Sequence, residues 1–266
     1  MKTNAIIRII VWSLVLILLT GILLAGLGVY FYSFIPGTHS QSGFVTYDGT
    51  AEIHLDAATI RKVKIEWVSD SITIRPGDVD DLVFAEPDGL PDEWKMTYDQ
   101  SGDQVTIHYS SHKNMSFGIN VHIPSKPLTV TVPRDWSGKL LKIETVSSEV
   151  DIRDLAPLSE LKIEIVSGNT VCENLSCDTL DLESVSGSIR YAGQVGSVDA
   201  ETVSGDCTLV LPADIPGFTA KCDGLSGKVR CDFPGQLEDK TVIYGDGSCH
   251  IKMDSVSGNL AIEKAA

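Results

Sequence analysis

The side chains best placed to do chemistry in this sequence are carboxylates that recur in step. When the Ser of a repeated Val-Ser-Gly triplet is taken as zero, position −3 carries Glu66, Glu144, Glu164, Glu183, Glu201, Asp223 and Asp254. Position −5 carries Lys64, Lys142, Lys162, Lys221 and Lys252, with Asp181 and Asp199 in two middle copies instead. Asp181, Glu183, Asp199 and Glu201 therefore bring four carboxylates together on neighbouring repeats. Like charges side by side repel. An oxygen-rich set of this kind attracts a divalent cation such as Ca²⁺, or a cationic partner. The plainer reading is a solvated ladder of Lys and acid pairs.

Other reactive residue types lack the spacing that catalysis needs. The sequence has no phosphate-binding Gly loop, no H-E-x-x-H, no G-x-S-x-G and no C-x-x-C, so no catalytic residue and no resident cofactor are assigned. His108 and His112 stand four apart, a helical metal spacing, but Val105 to Tyr109 alternates like a strand and no third ligand follows. Ordinary surface or half-buried histidines are expected. Asn114-Met115-Ser116 and Asn174-Leu175-Ser176 match glycosylation triplets that also arise by chance. The six cysteines (172, 177, 207, 222, 231, 249) all lie in the second half, four of them at apolar positions of the repeat. They read as small buried hydrophobes, with a disulfide between repeats as the alternative.

These residues must be held by a repeating strand unit. The triplets are Val166-Ser167-Gly168, Val185-Ser186-Gly187, Val203-Ser204-Gly205, Leu225-Ser226-Gly227 and Val256-Ser257-Gly258, with degenerate copies at Val68-Ser69-Asp70 and Val146-Ser147-Ser148. From Ser147 to Ser257 the intervals are 20, 19, 18, 22 and 31 residues, a solenoid-like period except for the last. Apolar residues occupy −6 and −4 (Val63/Ile65, Leu161/Ile163, Leu180/Leu182) and then +3 and +5 (Ile72/Ile74, Ile189/Tyr191, Leu260/Ile262). The inward phase slips by one residue at Ser-Gly. In a straight strand that slip would turn the core face outward; at a corner where Gly permits a tight bend it keeps the face inward. The expected fold is all-β, a single-stranded β-helix-like solenoid of strand, corner and strand, whose rungs must stack because none buries enough apolar surface alone. Residues 75–135 are less regular and read as larger rungs or hairpins capping one end.

The chain begins differently. Ile9 to Ile35 contains 27 residues and no charge. At about 1.5 Å per helical residue it reaches roughly 40 Å, enough for one transmembrane helix after a short cytoplasmic stub. Lys2 and Arg8 precede the run and the next basic residue is Arg61, which places the N-terminus in the cytoplasm and the rest outside. A cleaved signal peptide is the alternative. The divisions expected are stub and membrane helix 1–35, linker 36–48 and extracytoplasmic solenoid 49–266. A formal charge of −15 argues against nucleic acid as a partner.

The sequence resembles the toast-rack-like, adhesin-type families of bacterial envelope proteins, relatives of a membrane protein found beside a Lia-type envelope-stress system. The likeness rests on Leu128-Thr129-Val130-Thr131-Val132-Pro133, the series of Val-Ser-Gly corners, and Tyr244-Gly245-Asp246-Gly247 leading to Val256-Ser257-Gly258-Asn259-Leu260. It implies a membrane-anchored β-helix-like domain without catalytic residues, and an adhesin-like binding or scaffold role in the cell envelope, with a link to the envelope-stress response. Partners would be an envelope protein, a wall polymer or another copy of the chain. The competing class is a polysaccharide-processing β-helix enzyme, which would need its carboxylates in a cleft.

Overall fold

The computed structural model describes residues 42–43, 51–110, 124–224, 226–238 and 240–265. Within them the chain is almost wholly strand. β1 (Ser42–Gly43), β2 (Glu52–Asp56), β3 (Lys62–Gly77) and β4 (Asp81–Ala85) come first. A 3-10 turn at Asp92–Trp94 leads to β5 (Thr97–Ser101), β6 (Gln104–His108) and β7 (Leu128–Pro133). The long strands β8 (Leu140–Arg153), β9 (Leu158–Ser167), β10 (Thr170–Ser186) and β11 (Ile189–Ser204) form the middle, followed by β12 (Cys207–Leu211) and β13 (Gly217–Gly224). β14 (Val229–Cys231), β15 (Gln236–Glu238), β16 (Thr241–Gly245), β17 (Cys249–Ser255) and β18 (Leu260–Lys264) complete the described part.

The strands stack as two long walls joined at the Ser-Gly corners. Wall A, formed by the segments before each corner, runs β1–β5–β6–β3–β8–β9–β10–β11–β17–β13–β16–β15. Wall B, formed by the segments after it, runs β2–β4–β7–β3–β8–β10–β11–β12–β18–β14. The regular rungs are parallel and in register, so that Ile143 lies beside Ile163 and Leu182 beside Ala200. Antiparallel strands occur only towards the ends: β2, β4 and β5 at one, β15 and β16 at the other. Within 75–135 the described residues hold one hairpin, β5–β6, and β4 lies antiparallel between β2 and β7; Ser42–Gly43 of the expected linker adds a short strand to β5.

The slip in phase is real. In β3 the buried residues are Val63, Ile65 and Trp67, then Ile72 and Ile74, with Asp70 at φ 80° between them. The corner glycines stack on one another, each with its missing Cβ aimed at the carbonyl of the rung before. A Cβ on Gly187 would lie 1.8 Å from the oxygen of Gly168, and one on Gly258 2.1 Å from that of Gly205. At Gly187 the backbone also has φ +137°, which other residues avoid.

Two features go beyond the expected strand, corner and strand. In β10 the inward phase slips twice more, as Cys172, then Leu175 and Cys177, then Leu180 are buried, and Ile152, Leu155, Leu158 and Leu161 repeat the pattern one rung earlier, so a short third side closes the coil. At the first of these bends Asp154 and Asn174 take φ 59° and 54°, Gly193 φ 155°, and the Asn174 amide donates to Asp154 Oδ1 at 2.8 Å. Asn and Asp tolerate this left-handed backbone better than other residues with a Cβ. The second feature is the order of the rungs: the last in sequence, β17 with β18, sits between the β11–β12 rung and the β13–β14 rung. This accounts for the long final interval, because residues 232–248 form the β15–β16 excursion before the chain returns.

Among the described residues no helix is long and apolar enough to cross a membrane; the apolar run Ile9–Ile35 lies outside them.

Candidate functional site

Parallel register converts each repeat position into a column along the solenoid. On the outer face of wall A the −3 acids line up in the spatial order Glu66, Glu144, Glu164, Glu183, Glu201, Asp254 and Asp223. The −5 column beside them carries Lys64, Lys142, Lys162, Asp181, Asp199, Lys252 and Lys221. At its N-terminal end the ladder is regular. Lys64 reaches Glu66 at 2.7 Å and Glu144 at 3.0 Å, and Lys142 reaches Glu144 at 2.6 Å and Glu164 at 2.8 Å. Lys162 then serves three acids at once: Glu164 at 3.3 Å, with Asp181 and Glu183 each at 2.8 Å.

Beyond Lys162 the cations run short. Lys252 contacts Asp254 at 2.6 Å and Asp199 at 3.7 Å, while Glu201 makes no ion pair among the described residues. Burial and then the charges of Asp199, Glu183 and Asp254 push the Glu201 carboxyl upward. The four residues expected to gather a cation thus occupy two adjacent strands, with Asp181 beside Asp199 and Glu183 beside Glu201. Lys162 neutralises one half of the set, and among the described residues no three His, Cys, Asp or Glu groups converge as a metal site. They stand on the outside of a continuous parallel sheet, an open flank rather than a cleft.

The −1 residues share this face. Val68, Val166, Val185, Val203 and Val256 are half-buried and Val146 is exposed, forming an apolar stripe beside the acids. Wall B is different. Its outer face pairs Arg75 with Asp151, then Arg153 with Asp151 at 2.8 Å and Glu173 at 2.6 Å. Further along, Arg190 meets Glu263 at 3.1 Å, and Arg230 lies between Glu263 and Asp232. Each of these arginines faces an acid, and Glu52, Asp56, Asp81 and Glu149 add further carboxylates to that face, so both walls are acidic; wall A differs in setting its acids in one column beside the valine stripe.

His108 ends the −3 column beside Glu66. Its Nδ1 lies 2.8 Å from Glu66 and its Nε2 3.1 Å from Asp99. Burial disfavours the imidazolium, but Glu66 and Asp99 outweigh that and raise the pKa of His108. Burial likewise works against ionised Glu66, yet His108 and Lys64 bring its carboxyl down to about 2. The expected ordinary histidine is an ion-paired end to the ladder, and His112 lies outside the described residues.

A second charged group escaped sequence reasoning. Lys126 and Glu86 form an ion pair with both side chains fully buried. The ammonium also donates to the Trp94 carbonyl at 2.6 Å and lies 4.8 and 4.5 Å from the ring centres of Trp67 and Tyr109. Glu86 accepts from the Met96 amide at 2.9 Å. The partners come from five places in the chain, so no local pattern marks them. Together they fasten the capping hairpins to the first rung.

All six cysteines are free thiols, and only Cys231 is not fully buried. Burial pushes Cys177 up to about 11 and Cys207 to about 12, and drives Cys172 higher still. Cys177 also meets the Tyr191 hydroxyl at 3.4 Å. Of the two glycosylation triplets, Asn174 is the left-handed corner residue, and 114–116 lies outside the described residues.

The fold has known counterparts. A candidate cell adhesion protein from Clostridium sporogenes superposes with a TM-score of 0.50 at 14% identity, over 80% of this chain and 98% of that one. A candidate adhesin from Bacteroides fragilis gives a TM-score of 0.43 at 13% identity, over 79% and 95%. No curated protein matches the chain in sequence. The Toastrack DUF4097 family model matches twice, over residues 60–194 and 136–263, which spans every rung of the coil. By that match, and by the stacked Ser-Gly corners it covers, the chain belongs to the Toastrack DUF4097 family.

Proposed function

We propose that this protein is a non-enzymatic binding module of the bacterial cell envelope, docking an envelope protein or wall polymer on the outer face of wall A. In this reading the apolar run Ile9–Ile35 anchors it in the cell membrane with the N-terminus inside, and the solenoid stands outside. The adhesin-type neighbours support a binding role in general terms, and the resemblance to envelope-stress relatives supports a sensing variant through a membrane partner, since Met1 to Arg8 is too short to signal alone.

One observation carries the reading: the flat outer face of wall A sets an unbroken column of acids, outnumbering its lysines at Asp199 and Glu201, beside a stripe of half-buried valines. Exposed ion pairs add little to stability, so a fold needing only solubility gains nothing from ordering its acids in one column beside apolar side chains. Charge patterning of that kind steers and selects partners. The test is retention of envelope fractions by the immobilised protein as ionic strength rises from about 50 mM to about 500 mM, where surface charges become screened. Retention that falls with salt supports the reading; retention indifferent to salt, or turnover of wall polysaccharide by the protein, opposes it.

A further inference from the structure

We infer that the β17–β18 rung is an exchangeable element, and that two copies of this chain associate by each placing its β17–β18 into the other's slot. The inference comes from the rung order and does not depend on the binding role proposed above. β17 pairs with β11 on one side and β13 on the other, and β18 likewise with β12 and β14. The other described strands therefore form a slot with two open parallel edges in each wall, and β17–β18 fills it.

The slot is specific for its occupant. Gly258 must fit between stacked backbones, since a Cβ there would lie 2.1 Å from the Gly205 oxygen, and a Cβ on Gly227 would lie 2.3 Å from the Gly258 oxygen. The inserting segment presents Cys249, Ile251, Met253, Leu260 and Ile262 to the core, all buried. A rung carrying the same pattern from a second copy makes identical contacts, which is the condition for exchange.

The connection favours exchange. β16 lies on one side of β13 and β17 on the other, so residues 246–248 cross the start of β13. The crossing is close: Asp246 donates its amide to the Pro216 carbonyl at 3.3 Å, and a Cβ on Gly217 would lie 2.3 Å from the Asp246 nitrogen. Such short hinge loops are where swapping occurs, because opening them relieves the tight crossing in both copies at once.

The test co-expresses two full-length single variants, Ser197→Cys and His250→Cys, whose positions are paired across β11 and β17 and face outward. A short bismaleimide should join the two different chains, in about half of the swapped dimers by random pairing. Thr179→Cys with Glu160→Cys, paired across β10 and β9, is the control and should give no interchain product. Both positions placed in one chain show that the reagent spans the pair. A product confined to the 197/250 mixture establishes exchange. Products from both mixtures mean general association, and intrachain linkage without any interchain product means closure within one copy; either result overturns the inference.

Discussion

His108 shows how a single side chain can make stability depend on pH. Its folded pKa lies above the ordinary value of 6.5, so its ion pairs contribute fully below about pH 6.5 and are lost as pH rises through the raised value. Glu66 acts in the opposite sense, contributing above about pH 4.5 and losing its part as pH falls towards about 2. The Tm of the wild type should therefore decline from pH 6 to pH 9 more steeply than that of His108→Asn; parallel curves would refute this role. The Lys126–Glu86 pair is a matter of burial. Lys126→Met should cost about 3–5 kcal/mol in denaturant unfolding because it strands a buried carboxylate, and adding Glu86→Leu should recover much of that loss. The thiols should be nearly inert in the native state, since reactivity follows the thiolate. Cys231 should react first with an aromatic disulfide reagent, and all six only after unfolding. The acid column could be read from the sequence because the repeat supplies its register. Lys126 could not, because its partners lie 32 and 40 residues away and belong to no period.

For the elements, the corner is decisive. Gly187→Ala forces a Cβ against the Gly168 carbonyl at a positive φ, whereas Gly89 has φ +77° with nothing within 4 Å. Gly89→Ala should cost about 1–2 kcal/mol for backbone strain alone. Gly187→Ala should exceed it by at least about 2 kcal/mol in the same unfolding assay, or the stacked-corner explanation is wrong. Ser-Gly corners announce themselves through a slip in apolar phase. The second corner also has a signal, a positive φ at Asp154, Asn174 and Gly193, but the residue types differ and Gly193 pairs with Leu175 because β10 has one residue more than β11 there, which disguises it. The position of β17–β18 has no such signal. Repeats fix which side chains point inward, while any rung with the same ladder and glycine is an acceptable neighbour. What can be seen afterwards is why Tyr244-Gly245-Asp246-Gly247 is there: it carries the chain across Gly217 to the far side of β13.

For the whole molecule, the coil orders part of a net charge of −15 into a column. Both walls carry acids, and on wall A the excess peaks where Asp199 and Glu201 outrun the available lysines. Beside it runs the valine stripe, which supplies apolar contact area next to the charge. Such a face should govern association more than stability. Replacing both Asp199 and Glu201 with Lys should therefore leave the unfolding midpoint nearly unchanged.

The most direct measurement compares retention of envelope components by two variants with the same change in net charge. Asp199→Lys/Glu201→Lys alters wall A, and Glu173→Lys/Asp232→Lys alters wall B. If wall A is the docking face, the first should lose about tenfold or more in affinity and the second less than about twofold. Equal losses would show that only total charge matters, and no loss in either would remove wall A from the binding surface.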